Sequence, residues 1–350
     1  MLNVYTGDQR DEWNSIVKSF KNWDIYYLFE YANTFEVHGD GEPLLLVYQD
    51  EDAYFCYVVM QSDIADCPQL TGRLEKGRYY DFSSPYGYGG PLTDRTIPEQ
   101  SQKKYLQEVR AYGRENHIIS QFIRFHPLLG NDRALPLAIE TRYLRDTIYI
   151  DTSSREIIMS NMDSKNRNMV RKGIKSGVTI VQRPITDYQE FSSMYEETMK
   201  RNEADSYYLF SESYFRAQMD LADYACIFYA IREEIPIAGS IMYYNHQFMH
   251  YHLSGACTEY RRYAPSNLLL YEAGCWASER GIRKLHLGGG MSADDSLFGF
   301  KKQFNKNGKL PFAIGRTIFD AEAYAELMKL RKAIDPSFDE ENSRMIQYRK

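Results

Sequence analysis

The sequence lacks several features that would place it in a familiar functional class. No apolar run approaches the ~20 residues of a membrane span, and the opening residues, MLNVYTGDQRDEW, carry no basic-then-apolar leader. The five cysteines are scattered, and none forms a CxxC pair. We therefore expect a soluble cytoplasmic protein whose thiols are reduced and bind no zinc.

Cationic charge and nucleotide-binding motifs are also scarce. The formal net charge of −6 argues against a surface coated in cations for nucleic acid, although it does not exclude a local basic patch. No G-x-G-x-x-G opens a helix, and no Walker lysine follows a glycine loop. G-x-S-x-G and a Cys/His constellation are missing as well. These absences argue against a dinucleotide fold, a P-loop enzyme and a nucleophilic triad.

Aromatic residues are abundant and fall in short strand-like runs. Thirty Tyr and eighteen Phe accompany β-branched residues in segments bounded by Gly, Pro, Asp or Asn. These segments predict strands over 42–49, 53–62, 78–84, 120–128, 177–182, 224–233, 235–245, 247–256, 283–289 and 312–318. Apolar spacing predicts helices over 98–116, 185–202, 264–281 and 319–334.

One strand–loop–helix–strand order occurs twice, first over 78–126 and again over 247–288. Such a unit is typical of a right-handed crossover between two strands. A length of 350 residues suggests about two domains. We predict an α/β (α+β) fold with two domains of the same type, each a mixed central sheet flanked by helices. The first comprises residues 1–152 with 318–350, and the second comprises residues 153–317.

A glycine-rich stretch, HLGGGMSADDSLFGFKKQFN (286–305), allows two interpretations. Gly288-Gly289-Gly290 is a flexible exit from a strand, or it lets the backbone approach a substrate beside Lys301, where a Cβ would obstruct. Both interpretations stay open at this point.

Two neighbouring segments offer groups for acyl chemistry. In the strand MHYHLSGA (249–256), the backbone N–H groups of Ser254, Gly255 and Ala256 suit a tetrahedral oxyanion. The loop RRYAPS (261–266) precedes a helix, so its N–H groups and the helix dipole suit an anion.

Three histidines raise the question of a metal site. His250 and His252 point to one face of their strand, away from Tyr251, and His286 lies on the next strand. No carboxylate or cysteine is spaced to complete a ligand set. We therefore predict packed or hydrogen-bonded core histidines and no metal.

A basic segment, DSKNRNMVRKGIKSG (163–177), stands out in this net-acidic chain. Its cations include Arg167, Arg171, Lys172 and Lys175. They form either a solvated helix face or a surface that binds RNA phosphates, and both readings stay open.

Together, these sequence segments resemble those of the FemAB (Fem-like) aminoacyltransferase family of the GNAT superfamily. The resemblance covers nearly the whole chain. It rests on SPYGYGGPLTD (84–94), RFHPL (124–128), KNRNMVRKGIKSGV (165–178), YEETMKRNEADSYY (195–208), YHLSGACTEYRRYAPSNLLLYEA (251–273) and HLGGG…DSLFGFKKQFN (286–305). It implies tandem GNAT-like domains, the first on the acceptor side and the second on the acyl-donor side.

The resemblance also implies a reaction and site residues. Family members move an amino acid from aminoacyl-tRNA to an amine of a peptidoglycan or cell-envelope precursor, with no permanently bound cofactor. By motif, Lys301, Asp94 and Tyr251 are predicted as catalytic. The predicted substrate-binding residues are Phe300, Arg201, Ser254, Gly255, Arg261, Ser266, Gly289 and Gly290. The plainer alternatives are a surface lysine for Lys301, a turn or N-cap aspartate for Asp94 and a helix C-terminal cation for Arg201.

The chain departs from the family pattern in three places. Residues 36–38 (EVH) stand where nucleotide-sugar enzymes carry a phosphate-binding lysine, which argues against a UDP-linked acceptor. In the GNAT pyrophosphate loop, Ala264 and Ser266 replace glycines, and Pro265 removes an N–H donor. The tRNA-binding coiled-coil arm of some members is missing, which resembles the armless branch.

Three functions are therefore open. The first is aminoacyl transfer from aminoacyl-tRNA to a cell-wall precursor, with peripheral membrane contact if the acceptor is lipid-linked. The second is acyl-CoA-dependent N-acetylation of an amino sugar or polysaccharide precursor, which the altered loop 261–266 weakens. The third is a non-catalytic tandem-GNAT binding module, which the joint presence of Phe300, Lys301, Asp94 and Tyr251 weakens.

Overall fold

The computed structural model of the chain describes residues 1–292 and 294–350. The strands, numbered in chain order, are β1 Leu2–Tyr5, β2 Glu42–Gln49, β3 Tyr54–Asp63, β4 Tyr80–Ser83, β5 Ile118–Arg124, β6 Glu140–Asp151, β7 Thr179–Pro184, β8 Ala225–Arg232, β9 Ile235–Tyr244, β10 Phe248–Ala256, β11 Lys284–Gly288 and β12 Lys309–Ile318. The α-helices are α1 Arg10–Ser19, α2 Phe29–His38, α3 Glu99–Glu115, α4 Arg155–Asn161, α5 Ser164–Lys175, α6 Gln189–Arg201, α7 Glu212–Ala217, α8 Pro265–Glu279, α9 Ser296–Lys302 and α10 Ala321–Ile334.

The chain divides into two compact units. The first comprises Met1–Leu144 with Phe312–Lys350, and the second comprises Arg145–Pro311. The boundaries predicted from the sequence, 152/153 and 317/318, lie several residues later in the chain. Strands β6 and β12 each run across one of the observed boundaries.

Both units have the same ladder pattern. In the first, β1 to β4 pair antiparallel in chain order, β4 pairs parallel with β5, and β5 pairs antiparallel with β12. In the second, β7 to β10 pair antiparallel in chain order, β10 pairs parallel with β11, and β11 pairs antiparallel with β6. A long helix, α3 or α8, connects the parallel strands in each unit. The predicted repeat of a strand–loop–helix–strand unit is therefore confirmed.

The helices of the second unit pack tightly on its sheet. β8 (ACIFYAIR) is buried along most of its length, and α8 packs against β8, β9 and α5. At the crossing of α5 and α8, a Cβ on Gly173 would lie 3.1 Å from the Cβ of Leu268, so a larger residue would push the helices apart. Helix α6 covers β9 and β10 with a buried stripe that includes Phe191, Met194 and Tyr195.

The last residues of the chain pack and form hydrogen bonds within the first unit. Helix α10 packs on β5. Arg349 donates to both carboxylate oxygens of Asp81 on β4, at 2.6 Å each, and the Tyr348 hydroxyl donates to one of them at 2.7 Å. A buried carboxylate of this kind is stable only when it is paired and hydrogen-bonded.

All of the predicted strands and helices are present, with ends shifted by at most four residues. The sequence patterns do not predict β1, β6, α1, α2, α4, α7 and α9. The first half of β6 is exposed and rich in charge, and α1 buries only Trp13 and Val17, so neither shows a strong apolar period. All five cysteines are free thiols. Among the described residues, no helix combines the length and the apolar character that crossing a bilayer requires.

Candidate active site

The second unit opens between its two parallel strands. β10 pairs with β11 only over Phe248–His250. β10 then continues beside β9 to Ala256, with a register shift between Tyr251 and Leu253. From Tyr251 onward, no strand among the described residues pairs with the edge of β10 opposite β9, so backbone groups on this edge can bind a ligand.

A cavity of about 80 Å³ lies at this part of β10. Most of its lining residues are small, and they come from α6, β9, β10 and α8: Thr198, Ala238, Gly239, Ser240, Tyr251, Ser254, Gly255, Ala256, Ser266, Leu269 and Leu270. We call it the β10 cavity. Four predicted site residues, Tyr251, Ser254, Gly255 and Ser266, are thus brought together in its wall.

The C-terminal end of α6 closes one side of the β10 cavity. A Cβ on Gly255 would lie 2.9 Å from the backbone of Met194, so glycine permits this approach. The Thr198 hydroxyl accepts the Ala256 N–H at 3.1 Å and donates to the Met194 carbonyl at 2.9 Å. Arg201, the last residue of α6, donates to the Ala256 carbonyl at 3.2 Å. The prediction that the Ala256 N–H serves an oxyanion is therefore wrong, because Thr198 already accepts from it.

Lys301 lies in α9, beside Tyr251. It is 7% exposed, so the alternative of a surface lysine is wrong. Its Nζ donates to the Gly289 carbonyl at 2.7 Å and lies 5.9 Å from the centroid of the Tyr251 ring. Burial lowers the pKa of Lys301 to about 8, and the Asp295 carboxylate opposes this shift by favouring the cation. Phe300 packs against the apolar core of the unit. The site therefore holds a buried amino group that titrates close to neutral pH.

The three glycines before α9 each meet a constraint inside the protein. Gly288 has φ +72°, a left-handed conformation that favours glycine. A Cβ on Gly289 would lie 3.0 Å from the Asp146 carbonyl, and one on Gly290 would lie 2.1 Å from the Asp295 carboxylate. These obstacles lie within the protein itself, so a larger residue at 289 or 290 would displace its neighbours. Substrate contact by Gly289 and Gly290 stays a prediction.

The histidines of this region are buried and have side-chain neighbours. His286 Nε2 lies 2.9 Å from the Thr147 hydroxyl, and His252 Nε2 lies 2.9 Å from the Tyr214 hydroxyl. The His250 ring packs edge-on against His286, with centroids 5.9 Å apart. Burial lowers the pKa of His252 to about 3, so this ring is neutral at physiological pH. His252 and His286 are therefore core side chains within hydrogen-bond distance of a hydroxyl.

The structure places the residues of the predicted anion-binding loop (261–266) in different surroundings. Helix α8 begins at Pro265, after Ala264 in a left-handed conformation with φ +53°, and no side chain in the described part of the chain caps this end. Ser266 lines the β10 cavity, whereas Arg261 is exposed on the preceding 3₁₀ turn and is not part of the cavity wall. Pro265 supplies no N–H, so this helix end offers one donor fewer than a glycine loop would.

The basic segment forms α5. Arg171, Lys172 and Lys175 are exposed on this helix. Arg167 is half-buried, and its guanidinium donates to the Met162 carbonyl before the helix. Three of the four predicted phosphate-binding cations therefore face solvent, and the fourth supports the local backbone.

Asp94 belongs to the first unit. It is exposed, and its two carboxylate oxygens accept the Lys21 N–H at 3.0 and 3.1 Å. Helix α3 begins only at Glu99, so the alternative of an N-cap for that helix is wrong. Its role toward an acceptor stays a prediction.

Comparisons with known proteins agree with this geometry. Residues 164–302, all in the second unit, match the family described as Acetyltransferase (GNAT) domain. The fold is similar to the crystal structure of FemX, at 13% identity and a TM-score of 0.68, covering 91% of this chain and 98% of that one. It is also similar to the C-terminal domain of a putative lysylphosphatidylglycerol synthetase from Agrobacterium fabrum, at 12% identity and a TM-score of 0.57, covering 93% and 95%. A tandem GNAT protein from the clavulanic acid biosynthesis pathway matches at 9% identity and a TM-score of 0.50, covering 91% and 99%. No curated protein matches the sequence significantly.

The matched domain shows that residues 164–302 are similar to a GNAT acetyltransferase domain, which supports an acyltransferase. Over nearly the whole chain, the fold is similar to that of FemX. The resemblance seen in the sequence motifs is therefore confirmed at the level of the fold.

Three side chains at the site were not predicted as functional. Thr198 lies within a helix that the sequence does predict, but its contact with β10 depends on tertiary packing. Asp295 precedes α9 and accepts the Phe298 N–H at 2.7 Å, the contact of a helix N-cap. Because aspartate favours N-caps, that role was readable from the sequence. Arg145 comes from β6, the strand that the sequence reading missed.

Proposed function

We propose that this chain is a FemAB-type N-acyltransferase that moves an aminoacyl group from aminoacyl-tRNA to an amine of a peptidoglycan or other cell-envelope precursor. The observation that carries the proposal is that the buried Lys301 ammonium lies beside the Tyr251 ring, which in turn lines the β10 cavity. An ammonium group and an open strand edge are the kinds of donor that stabilise a tetrahedral oxyanion. The likeness to FemX supports the same assignment.

Two features favour a tRNA ester over acyl-CoA as the donor. The loop before α8 contains Ala264 and Pro265 where a CoA-binding loop needs bare N–H groups for the pyrophosphate. In the same unit, α5 presents Arg171, Lys172 and Lys175 to solvent, as phosphate contacts along an RNA backbone require.

The chemistry balances without an enzyme nucleophile. The neutral amine of the acceptor attacks the ester carbonyl carbon, a C–N bond forms, and the carbonyl oxygen becomes an oxyanion. Collapse of this intermediate breaks the bond to the ribose oxygen, which leaves and takes up a proton, while the former amine loses one. Positioning and charge stabilisation supply most of the rate, since the donor brings its own leaving group.

Lys301 is assigned both charge stabilisation and proton transfer. As an ammonium it stabilises the oxyanion, and its pKa of about 8 suits donation of a proton to the ribose oxygen. The face of the Tyr251 ring stabilises the cation. Asp94, in the first unit, is assigned to the acceptor amine. A lipid-linked acceptor would bring the protein to a membrane surface without a membrane-spanning segment.

The direct test compares two acyl donors with purified protein. tRNA charged with radiolabelled amino acids and labelled acetyl-CoA are offered in parallel, with lipid-linked and nucleotide-linked muropeptides as amine acceptors. Transfer of an amino acid to a muropeptide supports the proposal. Acetyl transfer from CoA, with none from tRNA, would establish the CoA-dependent alternative instead, and the absence of turnover with any donor would point to a binding module.

A matched pair of variants tests the assigned lysine. Lys301→Ala is expected to abolish transfer, whereas Lys302→Ala, at the exposed neighbouring position, retains it. Unchanged transfer by Lys301→Ala would remove this residue from the mechanism.

A further inference from the structure

We propose that Asp295 and Arg145 are positioning residues that clamp the turn at 288–292 from two sides and thereby orient Lys301 through the Gly289 carbonyl. This inference rests on the acyl transfer proposed above. Neither residue is one that the sequence motifs assign to the site.

Asp295 binds the N–H side of the turn. One carboxylate oxygen accepts the N–H groups of Met291 at 2.6 Å and Ser292 at 2.9 Å. The other accepts the Phe298 N–H at 2.7 Å, in the first turn of α9. A single carboxylate therefore ties the turn to the helix that carries Lys301.

Arg145 binds the carbonyl side of the same turn. One guanidinium nitrogen donates to the carbonyl oxygens of Gly290, at 2.7 Å, and of Met291. The peptide groups of the turn thus lie between an anion and a cation, and rotating them would break charge-assisted hydrogen bonds. A side chain at position 290 would displace the Asp295 carboxylate, because a Cβ on Gly290 would lie 2.1 Å from it.

The clamp acts on Lys301 through the neighbouring peptide. The Gly289 carbonyl, one residue before the clamped Gly290, accepts from Lys301 Nζ at 2.7 Å. A rotated Gly289 peptide would release the ammonium from its place beside Tyr251. An error of about 1 Å in such a group can cost about 100-fold in rate.

The charge of Asp295 makes the clamp measurable through the titration of Lys301. Asp295 favours the ammonium and raises the pKa of Lys301 against the larger effect of burial. The face of the Tyr251 ring on β10 lies 5.9 Å from the same ammonium, and the Arg145 guanidinium on β6 binds the carbonyl of Gly290, the residue after Gly289. Removing the Asp295 charge should therefore move the titration of Lys301 to lower pH.

The test compares Asp295→Asn and Arg145→Met with the matched control Asp294→Asn. Asp294 is exposed, and its φ of +54° is one that asparagine tolerates, so the control removes the same charge one residue away. Titration of Lys301 is followed by NMR of ¹³C-labelled lysine, with the signal assigned from Lys301→Arg. The kcat for aminoacyl transfer is measured over the same pH range.

Asp295→Asn is expected to shift the Lys301 titration, and the alkaline limb of kcat with it, downward by about one pH unit. Arg145→Met is expected to lower kcat about 10- to 100-fold at every pH, with little change in the donor KM. The control should match the wild type in both measurements.

Unchanged titration and unchanged kcat in folded Asp295→Asn and Arg145→Met proteins would overturn the clamp. If Asp295→Asn does not fold, Asp295→Ser, which keeps a capping oxygen without charge, replaces it under the same criteria. An inactive wild-type protein would refute the proposed function, while the NMR titration would still decide whether Asp295 controls Lys301.

Discussion

Replacing Lys301 by methionine is expected to stabilise the protein at neutral pH while abolishing transfer. Burial holds the pKa of Lys301 at about 8. This is about 2.5 units below the value for an unfolded chain, so carrying the charge into the folded state costs about 3 kcal/mol at pH 7. Methionine has a similar length without the charge and tolerates burial. It loses the hydrogen bond to the Gly289 carbonyl, worth about 1–2 kcal/mol, so the expected net gain is about 1–2 kcal/mol.

The stabilisation of Lys301→Met relative to the wild type must decrease as the pH rises. Between the folded pKa of about 8 and the ordinary lysine value, the unfolded chain binds more protons than the folded one. The stability of the wild type therefore increases with pH in this range, and that of Lys301→Met does not. From pH 7 to pH 9.5 the difference should shrink by about 2 kcal/mol.

Urea denaturation at the two pH values measures this difference. ¹⁹F-labelled tryptophan allows Trp276 to report on the second unit separately from Trp13 and Trp23 in the first. Lys302→Met is the control, because Lys302 is exposed one residue away. If Lys301→Met were destabilised equally at both pH values, burial would not penalise the ammonium, and the basis for its lowered pKa would be refuted.

The remaining predictions concern RNA binding, packing and the buried ion pair. Lys172→Ala combined with Lys175→Ala is expected to weaken tRNA binding and to reduce the slope of log affinity against log salt by about 1–2; an unchanged slope in a filter-binding salt series would remove α5 from the RNA surface. Gly255→Ala is expected to cost about 1–3 kcal/mol in unfolding free energy, because its Cβ would lie 2.9 Å from the α6 backbone; an unshifted denaturation midpoint would contradict that close approach. Arg349→Met should cost about 3–5 kcal/mol by leaving the buried carboxylate of Asp81 unpaired. Adding Asp81→Asn should recover part of that loss, and strictly additive effects would argue against direct coupling.

The sequence predicted most of the fold because the main elements carry strong local signals. The apolar runs of β2, β3 and β8 and the periodic stripe of α6 identify strands and helices without tertiary information. β6 was missed because its first half is exposed and charged. The pairing of β6 with β11 and of β12 with β5 has no local sequence signal either, because each strand pairs with a partner far away in the chain.

The candidate site was predicted in part, through motif resemblance. Tyr251, Ser254, Gly255 and Ser266 were named from the sequence, and the fold brings them into one cavity. Which backbone groups remain available there could not be read locally, since the Ala256 N–H is taken by Thr198, 58 residues earlier in the chain.

By itself, the sequence determined the repeated α/β organisation, the GNAT-like class and the Phe300–Lys301 pair, because periodicity and motif order are local properties of the chain. Only the tertiary structure decided the electrostatics of the site. Burial lowers the pKa of Lys301 to about 8, and Asp295, just before α9, and Arg145, on β6, hold the glycine turn beside it. A pKa depends on the groups that surround it in space, and the surroundings of Lys301 are assembled from distant segments by folding.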